Sequence, residues 1–192
     1  MSVSQALLRD AIPAMWAAWI VYWLVAARDV KPTSWRESPA ANALHGIPLL
    51  LSLLLLAAPR WLPAVLTRRL VPPSLALPLF GTALVAAGLL FAVWARVCLG
   101  RNWSGRVEVK EDHALVRTGP YRLVRHPIYS GMLLALAGTA CAIGEWRGVL
   151  AFLCALAGIL LRVRVEEARM RATFPEYEEY RRHSWALLPP LF

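Results

Sequence analysis

The sequence predicts an all-α membrane protein, a single domain over residues 1–192 with about five transmembrane helices. Three observations carry this expectation. Hydrophobic residues fill 58% of the 192 positions, above the roughly 45–50% of soluble domains. The excess is gathered into five blocks separated by polar segments, and mean hydropathy is +0.50. Nine Trp are present and several stand at block edges, where an amphipathic indole suits the membrane–water boundary.

The first block, 11–27, follows Arg9 and Asp10. Val25-Ala26-Ala27 loosely resembles a signal-peptide cleavage site. The block is nevertheless 17 residues long and holds Trp16, Trp19 and Trp23, whereas cleaved apolar regions run about 7–15 residues. A retained helix is expected. The second block, 43–58, is dominated by the apolar run 49–56 (broken only by Ser52) and ends at Pro59-Arg60. The third, 75–95, has Pro78 near its start and Arg96 at its end. The fourth is 128–144. The fifth begins at Gly148 and is apolar through Leu161. Those residues cover only about 21 Å of a hydrocarbon core of roughly 30 Å, so the helix must continue through Arg162-Val163-Arg164-Val165, giving a span of 148–165.

Five spans put the termini on opposite sides, and Lys and Arg decide the orientation. With the N-terminus outside, segments 28–42, 96–127 and 162–192 face inward with 16 Lys plus Arg, against 5 in 1–10, 59–74 and 145–147. The polar segments 96–127 and 166–192 are therefore expected to share the cytoplasmic face of a multi-pass protein, in the cell membrane if the source is prokaryotic. Within the first, 104–112 reads as a polar connection with a short extended pair around Val107 and Val109. In the second, Phe174-Pro175-Glu176-Tyr177-Glu178-Glu179-Tyr180 reads as an amphipathic interfacial helix with Tyr and Arg at headgroup level, and Pro189-Pro190 ends it.

Net charge is +9. In a soluble protein this would point to nucleic acid, but here the basic residues flank apolar blocks, so membrane lipids are the expected partner and no nucleic acid is. Cys98, Cys141 and Cys154 lack ligand spacing and read as small core residues. His45 reads as packed or interfacial, Trp103 as part of the aromatic belt and His183 as solvated. No metal-ligand pattern, phosphate loop or nucleophile elbow is present.

Two clusters carry chemistry. The first is Gly119-Pro120-Tyr121-Arg122-Leu123-Val124-Arg125-His126-Pro127-Ile128-Tyr129-Ser130-Gly131. Gly-Pro marks a turn and Pro127 suits the first turn of a helix. Free N–H groups at such an N-terminus can hold a carboxylate or phosphate, aided by Arg125 and His126. A basic juxtamembrane segment held by lipid phosphates is the alternative. The second cluster is Arg162-Val163-Arg164-Val165-Glu166-Glu167. Carboxylates at the end of a membrane helix are costly unless paired or functional. Arg162 and Glu166 share a helix face, and Glu167 is turned about 100° away, so the two acids are expected to differ in role toward one ligand. The alternative is a snorkelling Arg with its paired Glu. The short link between the fourth and fifth blocks makes an antiparallel hairpin that brings the two clusters to one membrane face.

Together with His113-Ala114-Leu115-Val116 and the run from Phe174 to Tyr180, these clusters resemble the isoprenylcysteine carboxyl methyltransferase family, which is related to the phospholipid methyltransferases. The resemblance covers about Trp94 to Leu188. It implies an S-adenosylmethionine pocket built by the loop before the fourth helix and the C-terminal segment, with cofactor contacts at Arg106, His113, Ala114, Leu115, Val116, Tyr121, His126, Pro127, Ile128, Tyr129 and Glu166. Arg125 and Glu167 adjoin these positions and are expected to join the cofactor-binding set. The family's acceptor-contacting arginine falls on Arg162. Carboxylates suit the cofactor's amino group and ribose diol, and cations or N–H donors suit its carboxylate. Arg106 stands where eukaryotic members carry Gln, and five spans look more like compact prokaryotic members. The acceptor is expected to be lipophilic, with a carboxylate, or the amine of a phospholipid, taking the methyl group. An NADPH-dependent membrane reductase of the sterol-reductase type and a non-enzymatic lipid-binding protein are the readings of other classes.

Overall fold

A computed structural model describes residues 6–28, 30, 33–36, 38–57, 61–103, 108–110 and 115–190. Five long helices carry the apolar blocks. They are α1 (Ile12–Ala26), α2 (Pro39–Ala57), α4 (Ala76–Leu99), α5 (Pro127–Ile143) and α6 (Trp146–Thr173), with short α3 (Ala64–Thr67) and α7 (Tyr177–Arg182) between and after them. A π-helical turn, Leu7–Ala11, leads into α1. The expected blocks therefore lie within or around helices, and α2 starts a turn earlier than the hydropathy alone indicated.

Among the described residues, Ala76–Asn102 and Trp146–Thr173 are long and apolar enough to cross a membrane, each by virtue of an apolar 18-residue stretch, and three shorter apolar helices stand beside them. Helix α6 runs 28 residues without a break, about 42 Å at the helical rise. It thus continues past Leu161 through Arg162-Val163-Arg164-Val165 and on to Thr173. Leu44, Ile47, Leu50, Leu53 and Leu54 of α2, and Phe80, Leu90 and Trp94 of α4, are exposed, as lipid-facing residues are.

The helices pack mainly as antiparallel neighbours. The most extensive contact is between α4 and α5. A Cβ on Gly131 would lie 2.5 Å from the Gly88 carbonyl oxygen, and one on Gly88 would lie 2.5 Å from that of Gly131. Gly81 and Gly138, one heptad away on each helix, repeat this reciprocal contact. Only glycine allows backbones so close, and such small-residue seams are how membrane helices associate without a hydrophobic drive between them. Helix α1 seats Ile12 against Val85, Leu89, Ala135 and Ala142, and Trp16 donates to Thr139 Oγ1 at 3.1 Å. Helix α2 instead packs on α6, where Arg147 caps its C-terminal carbonyls at Leu55 and Leu56.

One end of this bundle gathers the polar chain. Arg96 is buried beyond the third block's expected end, donates to Ala26 O and Gly100 O at 2.6 Å each, and lies over Trp103. Trp103, half-buried, also meets Trp23 edge-on. Two short strands depart from the all-α expectation. β1 (Thr33–Arg36) pairs antiparallel with β2 (Glu108–Lys110). The extended segment expected around Val109 therefore exists, but its partner is the α1–α2 connection; Val107 lies outside the described residues. His45 is buried and His183 exposed, as expected, and the three cysteines are free and half-buried.

Candidate active site

Pro127 opens α5, where a missing N–H costs nothing, and is fully buried. His126 is the residue before it. Across the hairpin, the end of α6 brings Arg162, Glu166 and Glu167 to the same level. Tyr129 donates its hydroxyl to Glu166 Oε1 at 2.6 Å, and Arg162 Nε reaches the same oxygen at 3.0 Å. The Arg162 guanidinium lies 5.7 Å from the Tyr129 ring centre. His126 stacks on Tyr129 with ring centres 5.8 Å apart.

The imidazole stands between the two carboxylates. Nδ1 lies 3.4 Å from Glu166 Oε2 and Nε2 lies 3.5 Å from Glu167 Oε1. The Nε2 contact is one of charge, since the buried nitrogen has no aligned hydrogen bond. Burial disfavours the charged imidazole, yet the carboxylates of Glu166 and Glu167 beside it outweigh burial and raise the His126 pKa. The rotation between the acids does separate their partners. Glu166 faces Tyr129 and Arg162, whereas Glu167 accepts from Arg125 Nε at 2.7 Å and lies 3.2 Å from Arg181 Nε, an ion pair without an aligned hydrogen bond. His126 is common to both.

Beside this polar node lies an apolar one. Tyr121 and Ile128 pack with Ala95, Val116, Trp23, Trp103 and Met132. Tyr180 donates to the Tyr121 carbonyl at 2.6 Å, and burial pushes its phenol up to about 12, so it remains a donor. Of the expected site residues, Val116, Tyr121, Ile128 and the polar set Arg125, His126, Tyr129, Arg162, Glu166 and Glu167 converge. Leu115 is half-buried in the approach to the Gly119–Arg122 turn. Arg106, His113 and Ala114 lie outside the described residues.

One expectation needs correction. The Tyr side chains of the 174–180 segment were expected at headgroup level, but Tyr177 and Tyr180 are buried and α7 is only six residues long. Pro127 has no N–H, so the N–H groups that α5 offers an anion are those of Ile128 and Tyr129. The backbone just before them is paired: Arg125 N–H donates to Trp185 O at 2.8 Å, and His126 N–H donates to Ala186 O at 3.0 Å. Sequence reasoning missed Arg181 and Ser184, whose role depends on this pairing.

Residues 80–172 match the model of the isoprenylcysteine carboxyl methyltransferase (ICMT) family. A cobalt-zinc-cadmium resistance protein, CzcN, of Cupriavidus metallidurans is 37% identical over 112 residues, covering 56% of this chain and 50% of the relative. A probable protein-S-isoprenylcysteine O-methyltransferase of Oryza sativa subsp. indica is 34% identical, covering 57% and 59%. The protein-S-isoprenylcysteine O-methyltransferase of Schizosaccharomyces pombe is 36% identical, covering 46% and 39%. The solved eukaryotic intramembrane Ras methyltransferase ICMT shares the fold with a TM-score of 0.50 at 22% identity, over 82% of this chain and 55% of that one. The chain thus spans about half the length of the curated relatives it matches.

Proposed function

We propose that this chain is a member of the isoprenylcysteine carboxyl methyltransferase family, an integral membrane enzyme transferring the methyl group of S-adenosylmethionine to a lipophilic acceptor. The observation that carries the reading is the buried node at the α5–α6 junction, in which Glu166 holds His126, Tyr129 and Arg162 together. The donor set fits the cofactor. Glu166 and His126 offer polar groups of both signs, and Tyr121, Val116 and Ile128 offer an apolar wall for a purine. When bound, S-adenosylmethionine supplies an activated methyl group that leaves without acid assistance.

The protein's own task is then alignment and exclusion of water. Arg162, beside the bilayer-facing length of α6, is positioned to orient an anionic acceptor. A carboxylate acceptor fits better than the amine of a phospholipid. An amine must lose a proton to a base, and both acids here are engaged by guanidinium groups. A lipid-modified carboxylate needs no base. Among the described residues no cluster of His, Cys, Asp or Glu suits a metal.

In this reading the single domain crosses the membrane five times, at about 11–27, 43–58, 75–95, 128–144 and 148–165. Segments 96–127 and 166–192 meet on the cytoplasmic face, and the N-terminus is outside. The test is a thermal-shift and calorimetric comparison of S-adenosylhomocysteine with NADPH on the detergent-solubilised protein. S-adenosylhomocysteine is expected to bind and stabilise. Glu166→Ala and His126→Ala are expected to stay folded and to lose binding by about 100-fold, the order of one charged hydrogen bond. Stabilisation by NADPH instead would transfer the site to a reductase, and stabilisation by neither would leave a lipid-binding protein.

A further inference from the structure

Glu167 adjoins Glu166 in the chain, but its bonds lead elsewhere. Its Oε1 takes Arg125 Nε at 2.7 Å and its Oε2 lies 3.2 Å from Arg181 Nε. Both guanidinium groups continue to the C-terminal segment. Arg125 Nη1 donates to the Ser184 carbonyl and, at 3.4 Å, to that of Arg181; Arg181 is itself part of α7. The same stretch is paired along its backbone. Trp185 N–H donates to Leu123 O at 2.9 Å, Arg125 and His126 N–H donate to Trp185 and Ala186, and Ser130 Oγ donates to Leu187 O at 2.5 Å. Ala186 and Leu187 are buried against Ile159 and Val163 of α6.

We propose that Glu167 is a positioning residue, which, through Arg125 and Arg181, clamps residues 181–187 onto the turn before α5 and so makes the C-terminal segment a wall of the site, leaving Glu166 as the carboxylate that faces the ligand. This rests on the reading of His126 and Glu166 as cofactor contacts. The physical reason lies in the chemistry of the pair. A buried carboxylate must be matched by donors, and a planar guanidinium can bridge it to a carbonyl with a fixed geometry that an amide or ammonium group cannot reproduce. Glu167 also stands on the Nε2 side of His126, opposite Glu166 on the Nδ1 side. The groups around that imidazole are Glu166 and Glu167 from α6, Tyr129 from α5 and Arg125 from the turn before it.

The test compares Glu167→Gln, Glu166→Gln and the milder Arg181→Gln in detergent. It uses amide hydrogen exchange, histidine titration by NMR in the ligand-free protein, and S-adenosylhomocysteine affinity. Glu167→Gln is expected to speed exchange of the Arg125, His126 and Trp185 amides by about tenfold or more, as a locally released segment does. It also moves the His126 titration to lower pH and weakens ligand affinity less than Glu166→Gln does. Arg181→Gln gives the same exchange pattern more weakly, and it carries the comparison if Glu167→Gln does not accumulate folded. Glu166→Gln loses affinity with those three amides still protected. Unchanged amide protection in both Glu167→Gln and Arg181→Gln would overturn the proposal. So would an affinity loss in Glu167→Gln equal to that of Glu166→Gln with the amides protected, because Glu167 would then be a ligand contact. If the unmodified protein binds no S-adenosylhomocysteine, the methyltransferase reading fails, while the exchange and titration results still decide whether Glu167 holds the segment.

Discussion

Between Gly131 and Gly138, α5 lies against α4 with glycine facing glycine, and no charge takes part. One turn earlier the same helix is tied down by charge, with His126 between two carboxylates and Arg125 reaching from Glu167 to the C-terminal segment. The seam draws on van der Waals contact at short backbone separation, which carries no dependence on pH or salt. The node draws on ion pairs, which are costly to bury and severely costly to leave half-made. The seam is tolerant of conditions and intolerant of volume. The node is the reverse, and only the node offers groups that a polar ligand can use.

The sharpest way to break the comparison is to add volume to the seam. In Gly131→Val the new Cβ would stand 2.5 Å from the Gly88 carbonyl and 2.8 Å from Ala92 N. These are backbone atoms, so relief requires the helices to part. The expected cost is about 3 kcal/mol, at the upper end for overpacking, read as a lowered unfolding midpoint in detergent. Gly88→Val meets the reciprocal contact and should cost a similar amount. The double variant should cost less than the sum, because the first substitution has already separated the pair. Stability of Gly131→Val equal to that of the unmodified protein would show that the seam is looser than these separations.

The seam and the node were legible in the sequence to different degrees. The five apolar blocks mark the helices because a bilayer admits few other spanning structures. The glycines at 81, 88, 131 and 138 stand one heptad apart within each helix, but nothing local says which helix faces which. The Arg162–Glu166 bond was readable from the four-residue spacing. His126 and Tyr129 were readable because a turn, a proline and a charged pair came together. Arg181 and Ser184 were not readable, because their role depends on residues 184–187 lying alongside 123–126. That pairing runs through backbone carbonyls, which every residue supplies. The two-sided pattern of 174–180 correctly announced an apolar face, but not that Tyr121 and its neighbours, rather than lipid, would cover it. The β1–β2 pairing escaped for the same reason.

A smaller effect distinguishes roles inside the node. Arg162→Ala removes one cation from Glu166 and leaves Tyr129, His126 and the seam in place. S-adenosylhomocysteine affinity is expected to change less than about threefold, while turnover of an acceptor falls about tenfold or more, the pattern of an interaction made with the acceptor. Calorimetry and initial rates with labelled S-adenosylmethionine read the two quantities separately. A parallel fall in both would move Arg162 to the cofactor side of the site.

The smallest effect is on pH dependence, and it tests the contrast between charge and packing directly. Burial works against the charged form of His126, but Glu166 and Glu167 outweigh it, so its folded-state pKa lies above the ordinary 6.5. A group with a raised folded pKa contributes stability that is fully present below its unfolded value and is lost as pH rises through the folded one. The unfolding midpoint should therefore fall as pH is raised from the unfolded value through the raised one. His126→Gln should lose that component of the slope. Gly131→Val should be less stable at every pH yet keep the slope of the unmodified protein, because the seam contains no titrating group. If Gly131→Val also loses the slope, the imidazole's setting between its carboxylates depends on how closely α5 lies against α4. The two regions would then be one mechanical unit, with close packing in the membrane holding the charged groups in register at its surface.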